Sequence, residues 1–203
     1  MNATQIRILL VEDHPVVRLG LSTVIAAQPD MEVVGEAATS GDALGCISDL
    51  APDLVILPLR LEGEPRGVEL CRELKSSATA PKVLIYSSYN STEEASSSFL
   101  SGADSFVHKG EDSGRLLDTI RATAAGRRVW LLGVETKDQS AKLQELMEDS
   151  GLTRREQEVL GFMLQRLTNA QIANELFVEL PTVKTHVSNI LAKLGLRSRR
   201  DLF

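Results

Sequence analysis

Aromatic residues are scarce in this chain: Phe, Tyr and Trp together make up 4% of 203 residues, and the single Trp stands at position 130. A core with so few rings has to be built from Leu, Val and Ile. The 43% hydrophobic content is ample for that. There are only two cysteines, Cys46 and Cys71. They exclude a disulfide framework and a Cys/His zinc cluster, and they fit reduced thiols in a cytoplasmic protein. No apolar run approaches the roughly 20 residues of a membrane span, so no membrane partner is expected. The short stretch at residues 6–11 runs straight into Glu12 and Asp13, unlike the apolar region of a secretory signal.

Positive charge is also in short supply, and it is unevenly spread. Residues 1–150 carry 14 Lys and Arg against 23 Asp and Glu, whereas residues 151–203 carry 8 against 5. A basic module joined to an acidic one places any contact with a polyanion in the C-terminal part.

Near-continuous apolar runs at 6–11, 31–37, 54–57, 83–86 and 106–107 read as strands covered on both faces. Helix-like segments lie between or after them at 16–27, 41–50, 68–75, 92–101 and 115–125. In these, Leu21, Val24 and Ile25, or Leu116, Leu117 and Ile120, fall at helical spacing. Five βα units predict a doubly wound, five-stranded parallel α/β domain over residues 1–125. Its site should lie at the carboxyl ends of the strands.

Glu12 and Asp13 close the first of these strands, Ser87 and Ser88 the fourth, and Lys109 the fifth. Two acids, a hydroxyl and an amine at one crevice have the chemistry to hold a divalent cation and an oxyanion. The strings ILLVEDHPVVRLGL, PDLVIL, VLIYSS and GADSFVHKG resemble the receiver domain of bacterial response regulators, whose fold is flavodoxin-like. The resemblance implies that Glu12 and Asp13 bind Mg²⁺ and that Ser87 and Lys109 contact an aspartyl phosphate. It also implies that Phe106 is the aromatic that turns inward on activation.

The family places its phosphorylated Asp at the end of the third strand, in a pattern like PDVVLLDLRMP. Here the string is PDLVILPLRLEGEP, and the acceptor position is Pro58. Proline offers neither a nucleophilic oxygen nor a third carboxylate, so at most a weak Mg²⁺ site remains and no cofactor is expected. Asp53 begins the third strand, at the wrong end of the sheet. Asp13 is at the right end and is the alternative, inefficient phosphate acceptor. Glu62 and Glu64 lie on the neighbouring loop, where solvent exposure is expected. A buried structural ion pair between the acids and Lys109 is the bland alternative to a surviving ligand site.

Residues 126–151 read as a linker in which the stretch around Trp130 packs back on the first domain and 137–147 form a helix. From residue 152 the pattern is helical only. Thr153 with Glu156, and Thr168 with Gln171, have the spacing of capping boxes. Pro181 opens a third helix whose apolar stripe is Val183, Val187, Ile190, Leu191 and Leu194. Its opposite face, Lys184, Thr185, Ser188 and Ala192, is small and polar, as in a helix-turn-helix. Lys184 suits guanine, Thr185 a methyl contact or hydrogen bond, and Ser188 leaves room. Thr182, His186, Asn189, Lys193 and, at the preceding helix, Asn169 are the expected phosphate contacts. The strings LTRREQEVLGFM and NAQIANELFVELPTVKTHVSNILAKLGLRSR closely resemble the LuxR-type helix-turn-helix of the NarL/FixJ response regulators, which places that domain at 152–203. Two departures stand out: Glu179 replaces a small hydroxyl at the cap of the recognition helix, and the last helix is short.

The expected protein is therefore a cytoplasmic, non-enzymatic transcription regulator that binds a two-fold-related double-stranded DNA site as a homodimer without aspartyl phosphorylation. A small ligand, a partner regulator or constitutive dimerisation would control it. The alternative is a heterodimerising interaction protein that modulates another regulator and binds DNA poorly alone.

Overall fold

The computed structural model describes residues 5–77, 79–89, 91–131 and 151–202. One parallel sheet contains β1 (Ile6–Val11), β2 (Met31–Ala37), β3 (Leu54–Leu57), β4 (Lys82–Ser87), β5 (Ser105–His108) and β6 (Trp130–Leu131), in the order β2-β1-β3-β4-β5-β6. Helices α1 (Pro15–Ala26), α2 (Ser40–Leu50), α3 (Arg66–Lys75), α4 (Thr92–Leu100) and α5 (Ser113–Ala124) alternate with the first five strands. The expected five-stranded sheet is thus corrected to six. The stretch around Trp130 packs back on the domain as a strand, pairing Trp130 with Phe106 and Leu131 with Val107.

Local chemistry sets the helix starts. Pro15 occupies the first turn of α1, where a missing N–H is harmless. The Thr39 hydroxyl caps α2, Ser91 and Glu94 form a capping box on α4, and Asp112 accepts the Arg115 N–H at 3.0 Å on α5. All four residues of β3 are buried, as expected for a central strand covered on both faces. On one face of the sheet, Leu21, Ile25, Leu116 and Ile120 pack against Ile8, Leu10 and Ile56. On the other, Leu70, Leu74, Ala95 and Phe99 pack against Leu9, Val55 and Ile85.

That second core continues without a break into the C-terminal helices α6 (Arg154–Leu164), α7 (Asn169–Glu175) and α8 (Leu180–Lys193), followed by a 3₁₀ turn at Arg199–Leu202. Helix α4 lies against α6. The Leu100 side chain occupies the space beside Gly161 so closely that a Cβ there would stand 2.4 Å from Leu100 Cγ. The expected helix at 137–147 lies outside the described residues. Among the described residues no helix is long and apolar enough to cross a membrane.

Candidate functional site

At the carboxyl edge of the sheet, Glu12 is almost completely buried, and a buried carboxylate requires partners. Its Oε2 accepts from Lys109 Nζ at 2.6 Å, and its Oε1 lies 2.9 Å from His14 Nδ1. Asp13 Oδ1 is 3.0 Å from the same imidazole nitrogen, and Oδ2 accepts the Glu62 N–H at 2.8 Å. Burial pulls the Asp13 carboxyl upward, but the Glu62 N–H and the imidazole outweigh it and leave it below the ordinary value. The exposed His14 imidazole is held above its ordinary value by its contact with Glu12 and then by the charge of Asp13.

The loop after β3 explains the Glu62 contact. Leu61 and Glu64 exchange two backbone hydrogen bonds of 3.0 Å, and the intervening Glu62 and Gly63 have φ of 56° and 80°. Proline, with φ fixed near −65°, has no place at either central position of such a turn, and it also lacks the N–H given to Asp13. Both Glu62 and Glu64 are exposed, as expected. Pro58 is buried, and its carbonyl backs onto Gly67 so closely that a Cβ there would lie 1.8 Å from the oxygen.

Ser87 is buried and its Oγ accepts the Tyr89 N–H at 3.1 Å, while its carbonyl accepts the Lys109 N–H at 2.8 Å. The Lys109 ammonium also stands 5.6 Å from the Tyr86 ring centroid. Phe106 is fully buried and stacks on Trp130, with centroids 6.0 Å apart and planes 11° from parallel. Trp130 in turn meets Phe99 at 5.5 Å, and Arg128 covers Phe99 at 4.8 Å. Glu12, Asp13, Ser87 and Lys109 thus lie at one strand-end region, whereas Phe106 sits inside β5, paired with Ile85 and packed on Trp130. The sequence reading missed His14 as a shared partner of both acids, and Trp130 as the ring that holds Phe106. The HP dipeptide directly after the acid pair was the available signal for the first.

A divalent cation is the group that the receiver resemblance implies here. Glu12, Asp13 and His14 each bring a ligand atom within 4.8 Å of the others. However, their oxygens are already held by Lys109, the Glu62 N–H and the imidazole, and residue 58 supplies no third carboxylate. This donor set does not fit Mg²⁺, which demands hard oxygen ligands in near-octahedral geometry.

The second site is helical. Both expected capping boxes are formed, Thr153 with Glu156 on α6 and Thr168 with Gln171 on α7. Val159, Leu160, Met163, Ile172, Val183 and Ile190 make the buried centre that fixes α8. Its outer residues Thr182, Lys184, Thr185, Ser188, Asn189 and Ala192 are all exposed while α6 stays docked on α4. His186 is half-buried, and its Nδ1 has no hydrogen-bond partner among the described residues. Two expected phosphate contacts have partners inside the protein. Lys193 Nζ donates to Glu156 Oε2 at 2.6 Å and to the Gly151 carbonyl at 3.2 Å, and Asn169 Oδ1 accepts from Arg199 at 3.3 Å. Glu179 sits at the N-cap of α8 without a side-chain capping bond.

Comparisons with known proteins agree with this architecture. Residues 8–121 match the response regulator receiver domain, and residues 150–203 match the bacterial regulatory proteins of the luxR family. The chain is 37% identical over 198 residues to the DNA-binding transcriptional activator DevR/DosR of Mycobacterium tuberculosis, covering 96% of this chain and 90% of that protein. It is 33% identical over 201 residues to the transcriptional regulatory protein LiaR of Bacillus subtilis, covering 96% and 93%. Among solved structures, the response regulator ChrA of a heme-sensing two-component system superposes with a TM-score of 0.54 at 32% identity, covering 98% of this chain and 94% of that one. These relatives are regulators of transcription rather than enzymes. With a receiver-type sheet, a helix-turn-helix and these relatives, the chain belongs to the NarL/FixJ (LuxR-type) response regulators, DNA-binding regulators of transcription.

Proposed function

We propose that this regulator binds a two-fold-related DNA site as a dimer and does so without aspartyl phosphorylation. The observation that carries the reading is Pro58 at the end of β3, in the acceptor position, with the neighbouring Lys109 already neutralised by Glu12. Phosphoryl transfer needs a nucleophilic oxygen at that strand end, and proline has none. The buried, stacked Phe106 supports a receiver held in one arrangement, the inward one that the family resemblance associates with activation. Lys184, Thr185 and Ser188 are exposed on α8, which supports the reading of that face as the one that enters a major groove. Pairing two copies adds two weak half-site contacts into one useful affinity. Control then falls to dimerisation itself, to a small ligand or to a partner regulator.

The test is intact-mass analysis after incubation with a small-molecule phosphodonor and Mg²⁺. The mass is expected to stay unchanged. A stoichiometric gain of one phosphoryl group, lost on hydroxylamine treatment, would contradict the reading.

A further inference from the structure

We propose that the cavity at the joint between the two domains binds a small aromatic zwitterion, whose presence holds α4 on α6. This gives the small ligand named above a place in the fold. That controlling role rests on the proposed function, whereas the binding itself does not.

Beside the contact of Gly161 with Leu100, the domains leave a cavity of about 510 Å³, within the size range of small-molecule sites. One wall comes from α3, with Val68 and Arg72, and from the end of α4, with Phe99 and Leu100. The opposite wall comes from α6, with Phe162, and from the end of α7, with Glu175 and the following Leu176. Val68, Leu100, Phe162 and Leu176 are only half-buried, although each lies within the joint. Apolar surface on both walls is thus left for an apolar body to cover, and the two rings favour a flat aromatic one.

Charge selects the ends of the occupant. Arg72 and Glu175 line the cavity from opposite walls, both are exposed, and neither has an ion-pair partner among the described residues. The other lining carboxylate, Glu158, is already engaged by Arg155 at 2.6 Å. A guanidinium donates two parallel hydrogen bonds to a carboxylate, and a carboxylate attracts an ammonium. A molecule with one acid and one amine on an aromatic body satisfies both walls. A simple anion is repelled by Glu175, and a simple cation by Arg72. Because the walls belong to different domains, the zwitterion has its full set of contacts only in the docked arrangement, so binding draws the domains together.

Trp130 makes the site observable. It is the only Trp of the chain and meets the lining residue Phe99 at 5.5 Å. The probe is Nα-dansyl-lysine, an aromatic body with one carboxylate and one ammonium, added to the full-length chain while energy transfer from Trp130 is recorded. Dansylglycine and dansylcadaverine, each with one of the two charges, are the controls. Saturable transfer with one probe per chain is expected, tighter than with either control. Arg72→Gln and Glu175→Gln alter exposed positions and are expected to melt with the wild type while each weakens the probe roughly 3–5-fold. Gly161→Leu drives Leu100 away, parts the walls and is expected to abolish the transfer. No saturable transfer up to about 1 mM probe overturns the proposal. So does affinity unchanged in both Gln variants, or binding that survives in Gly161→Leu while scattering shows the domains apart. The controlling role is read separately, on a two-fold promoter fragment. Fixing the joint fixes the spacing of the two α8 helices in a dimer, so the bound probe is expected to raise affinity about threefold or more. An unchanged value with the cavity filled overturns that role and leaves the binding site standing.

Discussion

The ammonium of Lys109 lies 2.6 Å from the carboxylate of Glu12, which is 1% exposed. The receiver resemblance assigns that ammonium to a phosphoryl oxygen, and here a carboxylate of the same chain takes the place. Removing one partner of a buried pair strands the other charge. Lys109→Met is therefore expected to destabilise the sheet domain by about 3 kcal/mol in urea unfolding. A loss well under about 1 kcal/mol would show that water or His14 satisfies Glu12 unaided.

Restoring an acceptor tests the same crevice from the other side. Proline gives no hydrogen bond through its nitrogen, so Pro58→Asp sacrifices none there. The new carboxylate would lie at the strand end that also presents Ser87 and Lys109. The variant is expected to gain a hydroxylamine-sensitive label from a small phosphodonor with Mg²⁺, while the wild type stays unlabelled. An unlabelled variant that remains folded would mean the Glu12–Lys109 pair closes the crevice to the donor.

Gly161 is the weak point of the joint between the domains. A leucine there cannot share space with Leu100, so Gly161→Leu is expected to separate α4 from α6 and increase the radius of gyration in small-angle scattering. Because the outer residues of α8 are already exposed in the docked form, DNA affinity per half-site should change by less than about threefold, under 1 kcal/mol. A large rise in affinity would identify the docked form as inhibitory.

The acid limb of stability should be carried in part by Glu156. Burial alone would raise its carboxyl. The bond from Lys193 and the N–H and hydroxyl of Thr153 outweigh burial and hold it below the ordinary value of 4.5. A lowered folded-state value means the contribution is complete above the unfolded value and is lost as pH falls through the folded one. Glu156→Gln is expected to destabilise the helical domain by about 1–3 kcal/mol at neutral pH and to lose less than the wild type on acidification below pH 4.5. Parallel acid curves for the two proteins would remove Glu156 from that role.

What was legible in the sequence was local. The Thr153–Glu156 and Thr168–Gln171 boxes lie three residues apart, near-continuous apolar runs located the strands, and Pro181 with a helically spaced apolar stripe located α8. The unread features join distant positions. Trp130 reaches Phe106 across the sheet, Lys193 reaches Glu156 between helices, and Leu100 meets Gly161 between domains. Periodicity carries no information about such pairs, because each residue type suits its own element equally well without the partner. The turn at Glu62 is intermediate: EG between two apolar-flanked positions is a turn signal, but its N–H bond to Asp13 needs the third strand and the first to be neighbours.

Phosphorylation independence is tested most directly by titrating the untreated full-length protein onto DNA from upstream of its own gene, across a salt series, with and without a phosphodonor. Specific binding is expected without the donor, steepening with each phosphate contact made and identical when the donor is present. Sequence-blind binding that becomes specific only after aspartyl phosphate forms would contradict the account.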